Sequence, residues 1–554
     1  MSEPDHITIS GAPEGFDATL ILSELARSQG VVCHIARDDK RMAAMHEALA
    51  FFAPDLDVVM FPGWDCLPYD RVSPNADISA TRMATLAALI EGTAKRFVVL
   101  TTLNAATQRV PARALLKEAA FTAQVGDRVD EAGLRAFLVR MGFVQAPTVT
   151  EPGDYAIRGG IMDIFPPGEG GPVRLDFFGD VLEGARRFDP VSQRTTEALK
   201  VVELAPVSEI ILDEASITRF RQNYRLEFGA AGTDDPLYEA VSAGKKHAGV
   251  EHWLPFFHDR LETLFDYLPN ATFTVDDQAT PTRLSRWESV DDQYDSRHEA
   301  MTAKGRIDSV YKPCPPGLLY LDDDAWNATT SGQRMLQFVA LVQPTGLGVT
   351  DAGGRIGREF APERQQESVS LFGALATHIQ AKRKVGQVVI ASYSEGARER
   401  LQGLMEDQDI HGATPIADWR DVPEGTGGVF LAVWALDHGF EGKDGLCVIS
   451  EQDVLGDRLV RAPKKRRRAE NFLIEAQTLS PGDLIVHVDH GVGRYMGLEV
   501  VEALGAPHEC IHLEYAGSSR LFLPVENIEL LSRYGHDEGL LDRLGGGAWQ
   551  AKKA

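Results

Sequence analysis

Cysteine is sparse in this chain. Its five residues, Cys33, Cys66, Cys314, Cys447 and Cys510, are odd in number, far apart and never spaced C-x-x-C. Neither a disulfide framework nor a metal site is expected from that pattern, and a reducing cytoplasm suits it. Long apolar runs are missing too. No segment approaches the roughly 20 apolar residues that cross a bilayer, and the start, MSEPDHITIS, has no basic cluster or apolar stretch of an export signal. A cytoplasmic protein without membrane contact is the expectation. Positive charge is in deficit: 56 Lys and Arg face 81 Asp and Glu, a net charge of −25. Such a chain repels a phosphate backbone unless cations are locally concentrated, so protein partners are favoured over nucleic acid.

A further absence lies in a place built for chemistry. Ile7 to Ser10 reads as a buried strand, Gly11 to Asp17 as a loop and Ala18 to Ala26 as a helix, the topology of a phosphate-binding loop. Set on G-x-x-x-x-G-K-[ST], the octapeptide GAPEGFDA keeps Gly11. It puts Phe16 at the second glycine, Asp17 at the lysine and Ala18 at the magnesium-binding hydroxyl. Replacing Lys by Asp turns attraction into repulsion, each of order 4 kcal/mol at about 4 Å with an effective dielectric of about 20. Asp17 is expected to face the phosphate position, and no ATP, magnesium or catalysis is expected here. The later EIILDE, Glu209 to Glu214, has the form of an acidic strand end that could hold magnesium. Without the loop it has no nucleotide metal to hold. The favoured reading makes Ile210 to Leu212 a strand and Asp213 the start of a helix. Trp64 and Tyr69 could stack on bases, but without a nearby basic cluster a buried Trp and a turn Tyr are the better reading.

With 554 residues the chain should hold several domains. Residues 1–122 and 205–335 read as two parts of one parallel α/β domain, with FTVDD and GLLYLDDD among the strands. Residues 123–204 are an inserted, mainly antiparallel module. There, Ala156 to Phe165, Val173 to Phe178 and Val181 to Phe188 are apolar runs separated by PPGEGGP and Gly179-Asp180. A period of two puts Val173, Leu175 and Phe177 on one face of the middle strand and Arg174, Asp176 and Phe178 on the other. Phe178 could equally cover a second small core. Gly-rich residues 336–365 read as a linker, 366–458 as a small α/β domain without a cofactor loop, and 459–476 as a tether carrying the basic block Lys464 to Arg468. Short strands over 477–535 imply a small barrel, and 536–554 the start of a helix. His487, Asp489 and His490 lack nearby cysteines apart from Cys510 and read as barrel-lining or surface residues.

The segments RGGIMDIFPPG, VRLDFFGD and RRFDPVSQRT resemble the UvrA-binding module of UvrB, and more closely its counterpart in the bacterial transcription-repair coupling factors. HGVGRYMG and LFLPVENIELLSRYG resemble the RNA-polymerase-interaction domain of the same family, shared with CarD proteins. The resemblance runs from about residue 5 to the end and implies the amino-terminal half of such a factor. The fold expected is multidomain α/β and β: a degenerate P-loop-type parallel domain with the inserted β module, a small α/β domain and a small SH3/Tudor-like β-barrel. The resemblance implies an adaptor that binds UvrA through Arg158, Arg174 and Phe178, with Arg186, Arg187 and Phe188 next in line. It implies contact with the RNA polymerase β subunit through Leu498, Val500 and Val501. ATP, magnesium and double-stranded DNA would engage a motor that these residues do not include. The alternative is a UvrB-like nucleotide-dependent DNA-binding repair enzyme. UvrB's long aromatic hairpin would fall near Tyr69 to Ala80, where only a short loop is present.

Overall fold

The computed structural model describes residues 6–456, apart from 29, 92–95, 169–170, 230–234, 303–310, 367–369 and 426. It also describes the strands within 484–535, apart from 488–489, 504–505, 518 and 525–530. It divides into two units, Met1–Arg458 and Leu459–Ala554. The basic block at 464–468 and the stretch 536–554 lie outside the described residues.

The first unit is built around a seven-stranded sheet. In spatial order its strands are Val349–Asp351, His6–Ser10, Arg334–Val339, Thr272–Val275, Val31–Ala36, Phe97–Thr102 and Val58–Phe61, and every neighbouring pair is parallel. FVVLTT is buried along its whole length. A run that is apolar throughout must be covered on both faces, which is the requirement of a parallel sheet. One face packs Ile21, Leu25, Met45 and Leu49 from the first two helices. The other packs Met83, Leu86, Leu264 and Trp326.

Three sequence expectations need correction here. Arg334–Val339 forms a central strand, so the stretch read as a linker from 336 begins inside the sheet. GLLYLDDD is not a strand. Pro316–Leu319 is a helical turn, and Asp322 caps the helix Asp323–Thr330 by accepting from the Ala325 N–H at 2.7 Å. Ile210 to Leu212 is irregular, although Asp213 does cap a helix, Glu214–Phe228, through a reciprocal bond with Ser216.

The six-stranded sheet orders Thr195–Leu199, Val181–Phe188, Val173–Phe178, Ile161–Ile164, Asp154–Arg158 and Val144–Gln145. The run from Ala156 to Phe165, read as one strand, is a hairpin turning at Gly159-Gly160. Gly159 has a φ of 62°, and a Cβ on Gly160 would lie 2.7 Å from the Phe177 carbonyl oxygen, so both positions require glycine. Tyr155, Met162, Ile164, Val173 and Leu175 form the buried face, against Leu134 and Leu138 of the helix Glu131–Arg140.

A third sheet orders Arg355–Ile356, Phe440–Glu441, Cys447–Ser450, Val388–Ser392, Val429–Val433 and Thr414–Ile416. The helices Leu371–Lys382 and Glu395–Glu406 pack on it. In the second unit, five antiparallel strands run Ser519–Pro524, Ala506–Tyr515, Gly491–Ala503, Leu484–His487 and Leu531–Gly535. Among the described residues, no helix is long and apolar enough to cross a membrane.

Candidate functional site

The loop after the first strand sits at the carboxyl edge of the parallel sheet, where ligands of open α/β sheets bind. Its glycines keep the needed backbone, with φ of 63° at Gly11 and 89° at Gly15. The space beside them is filled by protein. A Cβ on Gly11 would lie 2.5 Å from Asp351 Oδ1 and 2.9 Å from the Gly354 carbonyl oxygen. A Cβ on Gly354 would lie 2.3 Å from the Phe16 ring, which itself tilts against Phe440 with centroids 5.9 Å apart. Ala18 is wholly buried.

Asp17 does not face a phosphate position, contrary to the sequence expectation. It is 2% exposed and turned inward, accepting from the Gly15 N–H at 3.0 Å and from the Arg41 guanidinium. Arg41 Nε donates to Asp276 Oδ1 at 3.2 Å, while Arg37 donates to Glu14 at 2.6 Å and to Asp276 at 3.3 Å. Burial lifts the Asp17 carboxyl to about 7, opposed by the neighbouring Arg41 charge. The acidic stretch at Glu209 is likewise structural. Glu209 accepts from the fully buried Arg82 at 2.8 Å and from Trp64 Nε1 at 3.0 Å. Tyr69 lies in a turn as expected, with its ring only 1% exposed, whereas Trp64, expected to be buried, is half-buried.

On the six-stranded sheet the register places Arg158, Ile161 and Asp176 directly opposite one another, and Ala156, Asp163 and Arg174 in the next row. Arg158, Arg174 and Phe178 therefore share the face away from the main core. Their environments differ. Phe178 is 74% exposed. Arg158 is exposed and tethered by bonds from Nη2 to the Pro147 carbonyl at 2.6 Å and to Thr148 Oγ1 at 3.2 Å. Arg174 is held in a fork by buried Asp163, at 2.7 and 2.9 Å, and lies over the Phe188 ring at 4.8 Å. That hydrogen-bonded carboxylate raises the Arg174 pKa above its ordinary value. A second small core does exist on this face, but Val149, Ala156 and Phe188 make it, not Phe178. Phe188 is 3% exposed and so cannot serve as a contact. Arg186 pairs with Asp176 at 3.2 Å. The sequence reading missed two residues: Asp163, which fixes Arg174, and Ile161, an exposed apolar neighbour of Arg158 across the hairpin. Only the register reveals them.

In the five-stranded sheet, Leu498 lies opposite Ile511, Val500 opposite Glu509 and Val501 opposite His508. The side chains of Leu498, Val500 and Val501, and those of His487 and Asp489, lie outside the described residues. The backbone is informative by itself. Gly491–Ala503 pairs with Leu484–His487 only as far as Arg494. Beyond it, the segment 495–503 has a partner strand on one edge only among the described residues.

One face of the six-stranded sheet thus carries an exposed arginine and an exposed phenylalanine, and the second unit holds an antiparallel five-stranded sheet. Three segments match known protein families. Residues 121–210 match the UvrB interaction domain, 381–454 the MFD D3 domain, and 479–535 the CarD-like/TRCF RID domain. The chain is 32% identical over 541 residues to the transcription-repair-coupling factor of Escherichia coli K12, covering 96% of this chain and 46% of that protein. It is 30% identical over 560 residues to that of Haemophilus influenzae, covering 98% and 47%, and 24% identical over 531 residues to that of Bacillus subtilis, covering 90% and 43%. Along nearly its whole length the chain is similar to the amino-terminal half of the transcription-repair-coupling factors. It spans about half the length of these curated relatives.

Proposed function

We propose that this chain is a non-catalytic adaptor with two protein-binding surfaces, one for UvrA and one for the β subunit of RNA polymerase. In this role it couples removal of a lesion-stalled polymerase to nucleotide excision repair. The observation that carries the reading is the exposed Arg158, Ile161 and Phe178 face within the segment matching a UvrB interaction domain. Arginine and aromatic residues are the usual anchors of protein interfaces, each costing about 2 kcal/mol or more on truncation. For the polymerase, the segment 495–503, which has one partner strand among the described residues and lies in the region matching the CarD-like domain, offers a strand edge for β-addition near Leu498, Val500 and Val501. We read 477–535 as a small SH3/Tudor-like barrel, 123–204 as an insert in the divided domain 1–122 and 205–335, and 366–458 as a separate small domain.

A UvrB-like nucleotide-driven enzyme is disfavoured, because Phe16, Asp351 and Gly354 fill the loop where a nucleotide would sit. ATP, magnesium and duplex DNA enter the reading only through a family motor that has no counterpart in these residues. The test is capture on immobilised UvrA. Arg158→Ala and Phe178→Ala should each lose at least about tenfold in affinity, which is the factor for 1.4 kcal/mol, with an unchanged melting temperature. Undiminished capture by both would move the surface elsewhere.

A further inference from the structure

We propose that His378, Glu441 and Cys447 form a binding site for one zinc-like divalent cation within the small α/β domain. Their ligand atoms, one from each side chain, lie within 4.8 Å of one another. Three elements bring them together. Glu441 and Cys447 are directly paired on adjacent antiparallel strands, so both side chains project from one face, and His378 comes from the helix Leu371–Lys382 packed on that face.

The spacing suits a tetrahedral ion. Zinc bonds of about 2.0–2.1 Å to nitrogen and about 2.3 Å to sulfur set a nitrogen-to-sulfur separation near about 3.6 Å. His378 Nε2 and Cys447 Sγ are 3.8 Å apart. Imidazole, thiolate and carboxylate are all ordinary zinc donors, and three protein ligands leave a fourth position for water. Cys447 is 2% exposed and His378 9%, so the ion would sit in a largely dry floor, reached past the half-exposed Glu441. The C-x-x-C rule misses such a site because its ligands lie far apart in sequence, at 378, 441 and 447.

Glu441 is not idle without a metal. Lys382, one helical turn beyond His378, donates to its Oε2 at 2.5 Å. This ammonium occupies the position of a cation and competes with the ion. Binding therefore balances as follows: the metal enters, Cys447 releases one proton to form the thiolate, and the Lys382 ammonium moves out to water with its proton. The two anionic ligands then neutralise the divalent charge.

Cobalt(II) titration of the full chain tests this, because a thiolate bound to cobalt gives a near-ultraviolet charge-transfer band. The expected result is one cobalt per chain with that band, displaced by zinc. Cys447→Ser, a change of one buried atom, should abolish the band, and His378→Asn should weaken binding. Lys382→Gln should tighten binding by roughly tenfold or more, in line with the effects of residues beside metal ligands. A mere Lys–Glu ion pair predicts no such gain. The proposal is overturned if folded wild-type chain shows no band, or if the band survives Cys447→Ser and so comes from another cysteine.

Discussion

Arg174 shows how a side chain can belong to a proposed binding face without being free to bind. Its guanidinium is committed to buried Asp163 and lies on Phe188, which anchors a small core. Removing it strands a buried carboxylate, and an unpaired buried charge is costly. Arg174→Ala should therefore lose both melting temperature and UvrA capture, whereas Phe178→Ala should lose capture alone. Thermal melts beside the capture assay separate the two. The Arg82–Glu209 pair follows the same logic away from any surface. Glu209→Ala leaves Arg82, which is fully buried, without its carboxylate, and should cost about 3–5 kcal/mol in denaturant unfolding. Acid sensitivity has a residue-level origin too. Burial lowers His258 to about 4 and His252 to about 3, both below the ordinary histidine value. The unfolded chain then binds more protons than the folded one between pH 6.5 and about 4, so stability falls as pH drops through that window. His258→Gln, which keeps a donor for the Glu209 carbonyl, should flatten part of the fall in a melting-temperature series.

At the scale of elements, the strands that carry near-continuous apolar runs were legible in the sequence, as was the helix that starts at Asp213 with its capping side chain. Two kinds of element were not. Arg334–Val339 runs into a Gly-rich stretch, and its central place in the sheet depends on partners more than 300 residues away, at His6 to Ser10. The Gly159-Gly160 hairpin hid inside one apolar run because both arms are apolar and only the close approach of the Phe177 carbonyl demands the turn. The exposed face of the insert was legible from the period of two, while its division into free Phe178 and committed Arg174 needed the register. For the segment 495–503, the edge with no partner strand among the described residues makes a direct prediction. Val501→Arg places a charge in a contact that strand addition would desolvate, and should weaken polymerase pull-down by several kcal/mol with the fold retained. Wild-type pull-down by a folded variant would misplace the site.

Within the first unit, the loop after the first strand and the helices beside it pack against the third sheet. Phe16 meets Phe440, Phe51 stacks on Trp434 with centroids 4.8 Å apart, and the aromatic contact continues to Trp419. Exposed pairs such as Lys40–Asp437 and Arg420–Asp55 add little by comparison. The sequence showed that phosphate-binding residues were missing, but not that Phe440 and Gly354 pack against this loop, since both lie hundreds of residues from Gly11. Calorimetry with ATP and magnesium should accordingly show no micromolar binding, and a clear isotherm would refute the filled-loop account. The central claim, that one chain carries two independent docking surfaces, is tested most directly by bridging. Immobilised UvrA is incubated with RNA polymerase, with and without this chain. The account predicts that polymerase is retained only when the chain is present, and that Phe178→Ala or Val501→Arg each abolish retention. Polymerase that stays unbound in the presence of folded wild-type chain, or that is retained equally by both variants, would contradict it.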